Sequence, residues 1–70
     1  MNVQVKWMTD SRKTEVIDIH EKATVGELLN KLNINNHEDF LIVINGKNRL
    51  SDYVLHNEDQ VKIFHSMAGG

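Results

Sequence analysis

Val25, Leu28, Leu29 and Leu32 recur at i, i+3, i+4 and i+7, the only helical stripe that the chain carries. One amphipathic helix has one apolar face to bury, so the remaining segments must build the surface that covers it. Thr24-Val25-Gly26-Glu27 opens the helix as a capping box, with Thr24 as N-cap and Glu27 reaching back to a free backbone N–H. Asn33 is placed to end it in a left-handed C-cap. Gly26 lowers the helix propensity of the first turn.

The other segments read as strands. Val3, Val5 and Trp7 alternate with Gln4, Lys6 and Met8, the period of a half-buried strand. A turn over Thr9 to Arg12 leads to a second alternation, Ile17 and Ile19 against Val16 and Asp18, and the two segments form an expected hairpin. After a polar loop from Asn35 to Asp39, the run Phe40-Leu41-Ile42-Val43-Ile44 is apolar on both faces and too short for a helix, which marks a central strand. Asn45-Gly46 is a type I′ hairpin turn, because both central positions need φ > 0. Leu50 and Tyr53-Val54-Leu55 are expected to give a short strand and an irregular connection. Asn57-Glu58-Asp59 turns into the last strand, Val61 to His65. The order β-β-α-β-β-β predicts an α+β fold, a mixed sheet with one helix packed across one face.

Composition narrows the chemistry. Seventy residues suffice for one small domain, and the formal net charge of −2 comes from interleaved acids and bases with no basic stripe to neutralise phosphates. No nucleic acid partner is expected. No cysteine is present, which excludes disulfides, thiol nucleophiles and cysteine-ligated metal. No segment has the length of a membrane span and the N-terminus lacks signal-peptide character, so no membrane partner and a cytoplasmic location are expected. His20, His37, His56 and His65 show no metal-ligand spacing, and Asp18, Glu21, Glu38, Asp39, Glu58 and Asp59 are read as solvated turn residues. Ser11, Ser51 and Ser66 lack a nucleophile context, and Lys47 reads as an ordinary exposed lysine.

The chain closes on Met67-Ala68-Gly69-Gly70 directly after its last strand. Residues 1–66 are expected to form the folded domain and residues 67–70 a flexible tail. Glycine has no Cβ, so Gly69 and Gly70 can thread a narrow channel, with Met67 and Ala68 adding reach at little bulk. The same residues also suit a frayed end with no role.

Sheet parity locates a second candidate. If Val3, Val5, Ile42, Ile44, Val61 and Ile63 face the helix, then Met8, Leu41, Val43, Lys62 and Phe64 face away from it. Met8, Leu41, Val43 and Phe64 would then form an apolar patch on the open face beside the tail, a partner-binding surface. The alternative is that loops cover the patch, or that the last strand takes the opposite register with Phe64 in the core.

With Thr24-Val25-Gly26-Glu27-Leu28-Leu29 opening the helix and Asp59-Gln60-Val61-Lys62-Ile63-Phe64-His65-Ser66-Met67-Ala68-Gly69-Gly70 closing the chain, the layout resembles the ubiquitin-like β-grasp sulfur carriers. These are the ThiS-like and MoaD-like proteins, with the small archaeal modifiers beside them. The resemblance implies that an E1-like enzyme adenylates the Gly70 carboxylate with ATP, and that a sulfur donor such as a cysteine desulfurase leaves a C-terminal thiocarboxylate. A downstream synthase then takes the sulfur for cofactor biosynthesis, thiamine or molybdopterin, or for tRNA thiolation. It implies a carrier that is not itself an enzyme, that binds no cofactor and that is monomeric when free. Two other outcomes stay open: a ubiquitin-like modifier joined through Gly70 to target lysines, and an unconjugated β-grasp interaction domain. The chain departs from the family pattern in having Asn57-Glu58-Asp59 where an Asp-Gly-Asp turn is frequent, and His65-Ser66 where MoaD-like tails often carry two prolines.

Overall fold

Asn2–Trp7 (β1) and Thr14–Asp18 (β2) pair antiparallel, with Val3 opposite Ile17 and Val5 opposite Glu15. The computed structural model describes residues 1–8 and 13–65; the expected turn over Thr9 to Arg12 lies outside them. Alternation explains this hairpin: Val3 and Val5 are fully buried, while Val16, on the opposite face, is 65% exposed.

The helix, Val25–Lys31 (α1), follows. All four of its free N-terminal amides find acceptors. The Val25 N–H donates to Tyr53 O and that of Gly26 to Ser51 O, both at 2.9 Å. The Glu27 N–H donates to Thr24 Oγ1 at 3.2 Å, the fourth free amide is that of Thr24 itself, and the Leu28 N–H makes the first intrahelical bond, to Thr24 O at 3.0 Å. The capping box is complete, since the Thr24 N–H donates to Glu27 Oε1 at 3.0 Å. At the other end Asn33 takes φ 64°, its N–H donates to Asn30 O, and the Ile34 N–H donates to Leu29 O at 2.8 Å. These two bonds form a Schellman motif, with buried Ile34 closing over Leu29.

A short 3₁₀ helix, His37–Asp39, interrupts the expected polar loop and leads into Phe40–Ile44 (β3). Asn45 and Gly46 have φ 52° and 86°, as the I′ turn requires, and Lys47–Asn48 (β4) pairs at once with Ile44 and Val43. Gln60–His65 (β5) closes the sheet, parallel to β1 and antiparallel to β3. The five strands lie in the order β2-β1-β5-β3-β4.

Two expectations are corrected. The short fourth strand is not at Leu50 to Leu55: it is β4, because a two-residue turn returns the chain directly onto β3. Residues Ser51 to Leu55 instead clasp the helix start, with one antiparallel bridge between Thr24 and Val54 and a bond from Leu55 N–H to Ala23 O at 2.7 Å. The strand at the centre of the sheet is β5, not β3. The apolar outer face of β3 therefore does not reflect burial on both sides, since Leu41 is 41% exposed.

Val25, Leu28 and Leu29 of α1 meet Val3, Val5, Ile42, Ile44, Val61 and Ile63 in one core, joined by Ile19, Ala23, Ile34 and Leu55. Each large side chain buried there stabilises the fold by roughly 1.5–3 kcal/mol relative to exposure. One sheet face is thus filled by the helix, and the other has no layer over it among the described residues. The architecture is the mixed sheet with one helix expected from the element order, arranged as the ubiquitin-like β-grasp that the family resemblance implies.

Candidate functional site

The described chain ends with β5, at His65. Phe40 and His65 are cross-strand partners, and their ring centroids lie 4.9 Å apart at 34°. Phe40 is half-buried against the core, so its pairing with His65 anchors the end of β5. Met67, Ala68, Gly69 and Gly70 lie outside the described residues, as does the expected boundary at residue 66.

The five patch residues share the sheet face opposite α1. Leu41 pairs with Phe64 and Val43 with Lys62 across β3 and β5. Val61 and Ile63 are at most 1% exposed, which sets the register of β5 and turns Lys62 and Phe64 outward. The Met8 N–H donates to Ile63 O at 2.8 Å, carrying the line of β1 one residue beyond Trp7 with Met8 on the outward parity. Met8, Val43 and Phe64 are half-buried; Leu41 and Lys62 are exposed.

Parity also brings in two residues that were not singled out. Lys6 pairs with Lys62 across β1 and β5, and exposed Val16 pairs with Gln4. The apolar centre therefore has two ammonium groups along one side. The alternation of β1 carried that signal for Lys6, but only the parallel pairing of β1 with β5 sets it beside Lys62. Such a face suits a partner with an apolar centre and acidic margin. It has no convergent nucleophile and base.

The other polar groups are dispersed. His20 Nε2 lies 3.1 Å from Glu27 Oε2. His37 touches Asn30 Oδ1 at 3.3 Å and Ser51 Oγ at 3.4 Å. Hydrogen bonding from the Thr24 backbone, aided by His20, holds the Glu27 carboxyl below its ordinary range. Among the described residues no three His, Asp or Glu side chains converge as a metal-binding group. No described helix is long and apolar enough to cross a membrane. Lys47 is exposed in β4.

Asp59 is corrected. Read as solvated, it is 5% exposed and accepts from the His56 N–H and from Asn45 Nδ2, both at 2.9 Å. A buried carboxylate is tolerated because these donors replace its water. The adjoining Glu58 takes φ 68°, the left-handed position where a glycine would rest without strain.

Comparison with known proteins agrees with this geometry. The profile of the ThiS family matches residues 4–70. The SAMP1 crystal structure from Haloferax volcanii superposes with a TM-score of 0.80 at 18% identity, covering 100% of both chains. A Pyrococcus furiosus protein described as molybdopterin converting factor, subunit 1, gives 0.79 at 22% identity, covering 94% of this chain and 98% of its own. A Caldiarchaeum subterraneum ubiquitin gives 0.73 at 13% identity, covering 100% and 98%. At these identities the structures share a fold. No curated protein sequence matches the chain significantly.

Proposed function

The chain belongs to the ThiS family, and from that premise we propose that it is a sulfur carrier whose working group is the Gly70 carboxylate. An E1-like enzyme adenylates this carboxylate with ATP, and a sulfur donor displaces AMP to leave a thiocarboxylate. The mixed anhydride is needed because a free carboxylate is a poor electrophile, and AMP provides the leaving group. The single observation that carries the proposal is the family match running through the terminal Gly69-Gly70 in a chain without cysteine. Without a thiol, the described chemistry leaves the terminus as the place to hold sulfur covalently.

The carrier supplies a substrate and not a catalyst. Met8, Leu41, Val43 and Phe64, with Lys62 beside them, dock the adenylating enzyme while Met67 to Gly70 enter its site. A downstream synthase, for thiamine, molybdopterin or tRNA thiolation, then uses the same face and tail in turn.

A second reading is favoured by the names of two structural neighbours, a small archaeal modifier protein and a ubiquitin. In it Gly70 is joined by an isopeptide bond to target lysines. Both readings share the activation step.

The test is to isolate the protein from its native cell, alkylate it under denaturing conditions with a thiol-selective reagent, and map adducts by intact and tail-peptide mass spectrometry. An adduct on the last residues establishes the thiocarboxylate. Gly70 linked to lysines of other proteins establishes the modifier. A carboxylate that is always free and unlinked overturns both and leaves an interaction domain.

A further inference from the structure

The edge of the sheet beyond β3 is unfinished. β4 pairs only with Val43 and Ile44, and the Arg49 N–H then donates to Ile42 O at 2.9 Å. No strand continues along Phe40 and Leu41 on that side. In the antiparallel pairing with β5, Asn45 N–H bonds to Gln60 O, so odd-numbered residues of β3 address β5 and even-numbered ones address the outer edge. The Phe40 carbonyl and the Ile42 N–H therefore point outward together, with no partner among the described residues.

A groove of about 460 Å³ lies against this edge, lined by Glu38, Phe40, Leu41, Ile42, Arg49 and Leu50, among others. Leu50 is 76% exposed and Leu41 41%, large apolar side chains standing at its margins. Arg49 lies with its guanidinium 4.7 Å over the Tyr53 ring. Its Nε is buried without a hydrogen-bond partner, and no carboxylate among the described residues lies within ion-pair distance of it.

We propose that this groove captures the free C-terminal end of an extended peptide with an apolar last residue, running parallel to β3. An acceptor on Phe40 and a donor on Ile42, two residues apart, clamp one residue of a parallel strand: its N–H donates to Phe40 O and its carbonyl side accepts from Ile42 N–H. An antiparallel guest could use the same two groups, but it would bring its N-terminal ammonium, and not a carboxylate, up to Arg49. Beyond the clamped residue the path is closed by β4, so the guest ends there. Its carboxylate meets Arg49, whose flat array of N–H donors suits a carboxylate. The polarity of the groove agrees, because Glu38 precedes β3 and so faces the N-terminal side of a parallel guest, where a basic residue fits. This site adjoins the open-face patch at Leu41 but does not depend on the carrier reading.

The test is a titration of the ¹⁵N-labelled full chain, followed by NMR, with pooled hexapeptides that have an apolar last residue and a lysine upstream. The pool is used as free acids and as C-terminal carboxamides. The free acids are expected to shift the Ile42 amide and the Arg49 Nε–H saturably, with binding at least about tenfold weaker for the carboxamides. Arg49→Gln, checked for an unchanged core spectrum, is expected to remove the difference between the two pools. Should that variant not fold, the acid-against-amide comparison on the native chain decides alone. Unmoved Ile42 and Arg49 signals, or equal affinity for both pools, overturn the proposal.

Discussion

Asn45 donates its side-chain Nδ2–H to Asp59 Oδ1 at 2.9 Å, tying the β3–β4 turn to the turn that begins β5. The same Asn45 accepts from the Gln60 N–H through Oδ1 at 3.0 Å, so one amide side chain serves both sides of the junction. The turn is stitched to β1 as well, since the Gln4 N–H donates to Asp59 O at 2.9 Å. This junction brings β5 in between β1 and β3.

Asp59→Ala is expected to cost about 1–3 kcal/mol, because the His56 N–H and the Asn45 amide would lose their acceptor in a buried place. Chemical denaturation checks this. A loss below a few tenths of a kcal/mol would show that water replaces the carboxylate.

Glu58→Gly is expected to stabilise the fold by about 0.5–1 kcal/mol, as relief of the left-handed strain at φ 68° exceeds the added freedom of the unfolded chain. A thermal melt that moves down would mean that the Glu58 side chain makes a contact worth more than the strain.

Gly26→Ala is expected to stabilise by roughly 0.5–1 kcal/mol through helix propensity. A Cβ there would meet Ser51 O at 3.4 Å and Ser51 Cβ at 3.5 Å, ordinary contact distances, so space does not demand glycine. Equilibrium unfolding of the variant gives the sign directly.

Acid should loosen the helix start through Glu27. Its carboxyl is held below the ordinary range in the folded chain, so its contribution is full above the unfolded-state pKa and fades as pH falls through the lower folded value. The Glu27→Gln variant, which keeps an acceptor for the Thr24 N–H but carries no charge, should be less stable than the native chain at neutral pH and converge with it in acid. Parallel stability curves for the two proteins from neutral pH downward would count against this account.

Phe64→Ser and Leu41→Lys are expected to weaken the complex with the adenylating enzyme at least about tenfold, with far-UV circular dichroism unchanged. Deleting Gly69 and Gly70 should abolish adenylate formation while leaving docking largely intact. Calorimetry and pyrophosphate release separate the two effects. Unaltered binding by both face variants would move the docking surface elsewhere.

Much of the fold was legible locally. The capping box at Thr24 and Glu27, the left-handed Asn33 and Asn45, and the alternations of β1 and β2 all depend on neighbours within one or two turns of chain, and each stands where it was expected. The placement of β4 was missed although Asn45-Gly46 announced it, because the apolar Tyr53-Val54-Leu55 drew the strand to itself. That segment is apolar for another purpose: buried Leu55 and half-buried Tyr53 pack on the core while their backbone completes the helix cap.

What the sequence by itself determined is the set of elements, their inward faces, and a chain without thiols that closes on Gly69-Gly70. Periodicity, capping and turn chemistry are short-range, so one chain suffices to read them. What only the tertiary structure decided is which strands are neighbours: β5 between β1 and β3, Lys6 beside Lys62, Asp59 buried against Asn45, and the open edge at Phe40 and Ile42. Those relationships join residues far apart in the chain. Their geometry follows from how the whole sheet closes over one helix, which no local pattern encodes.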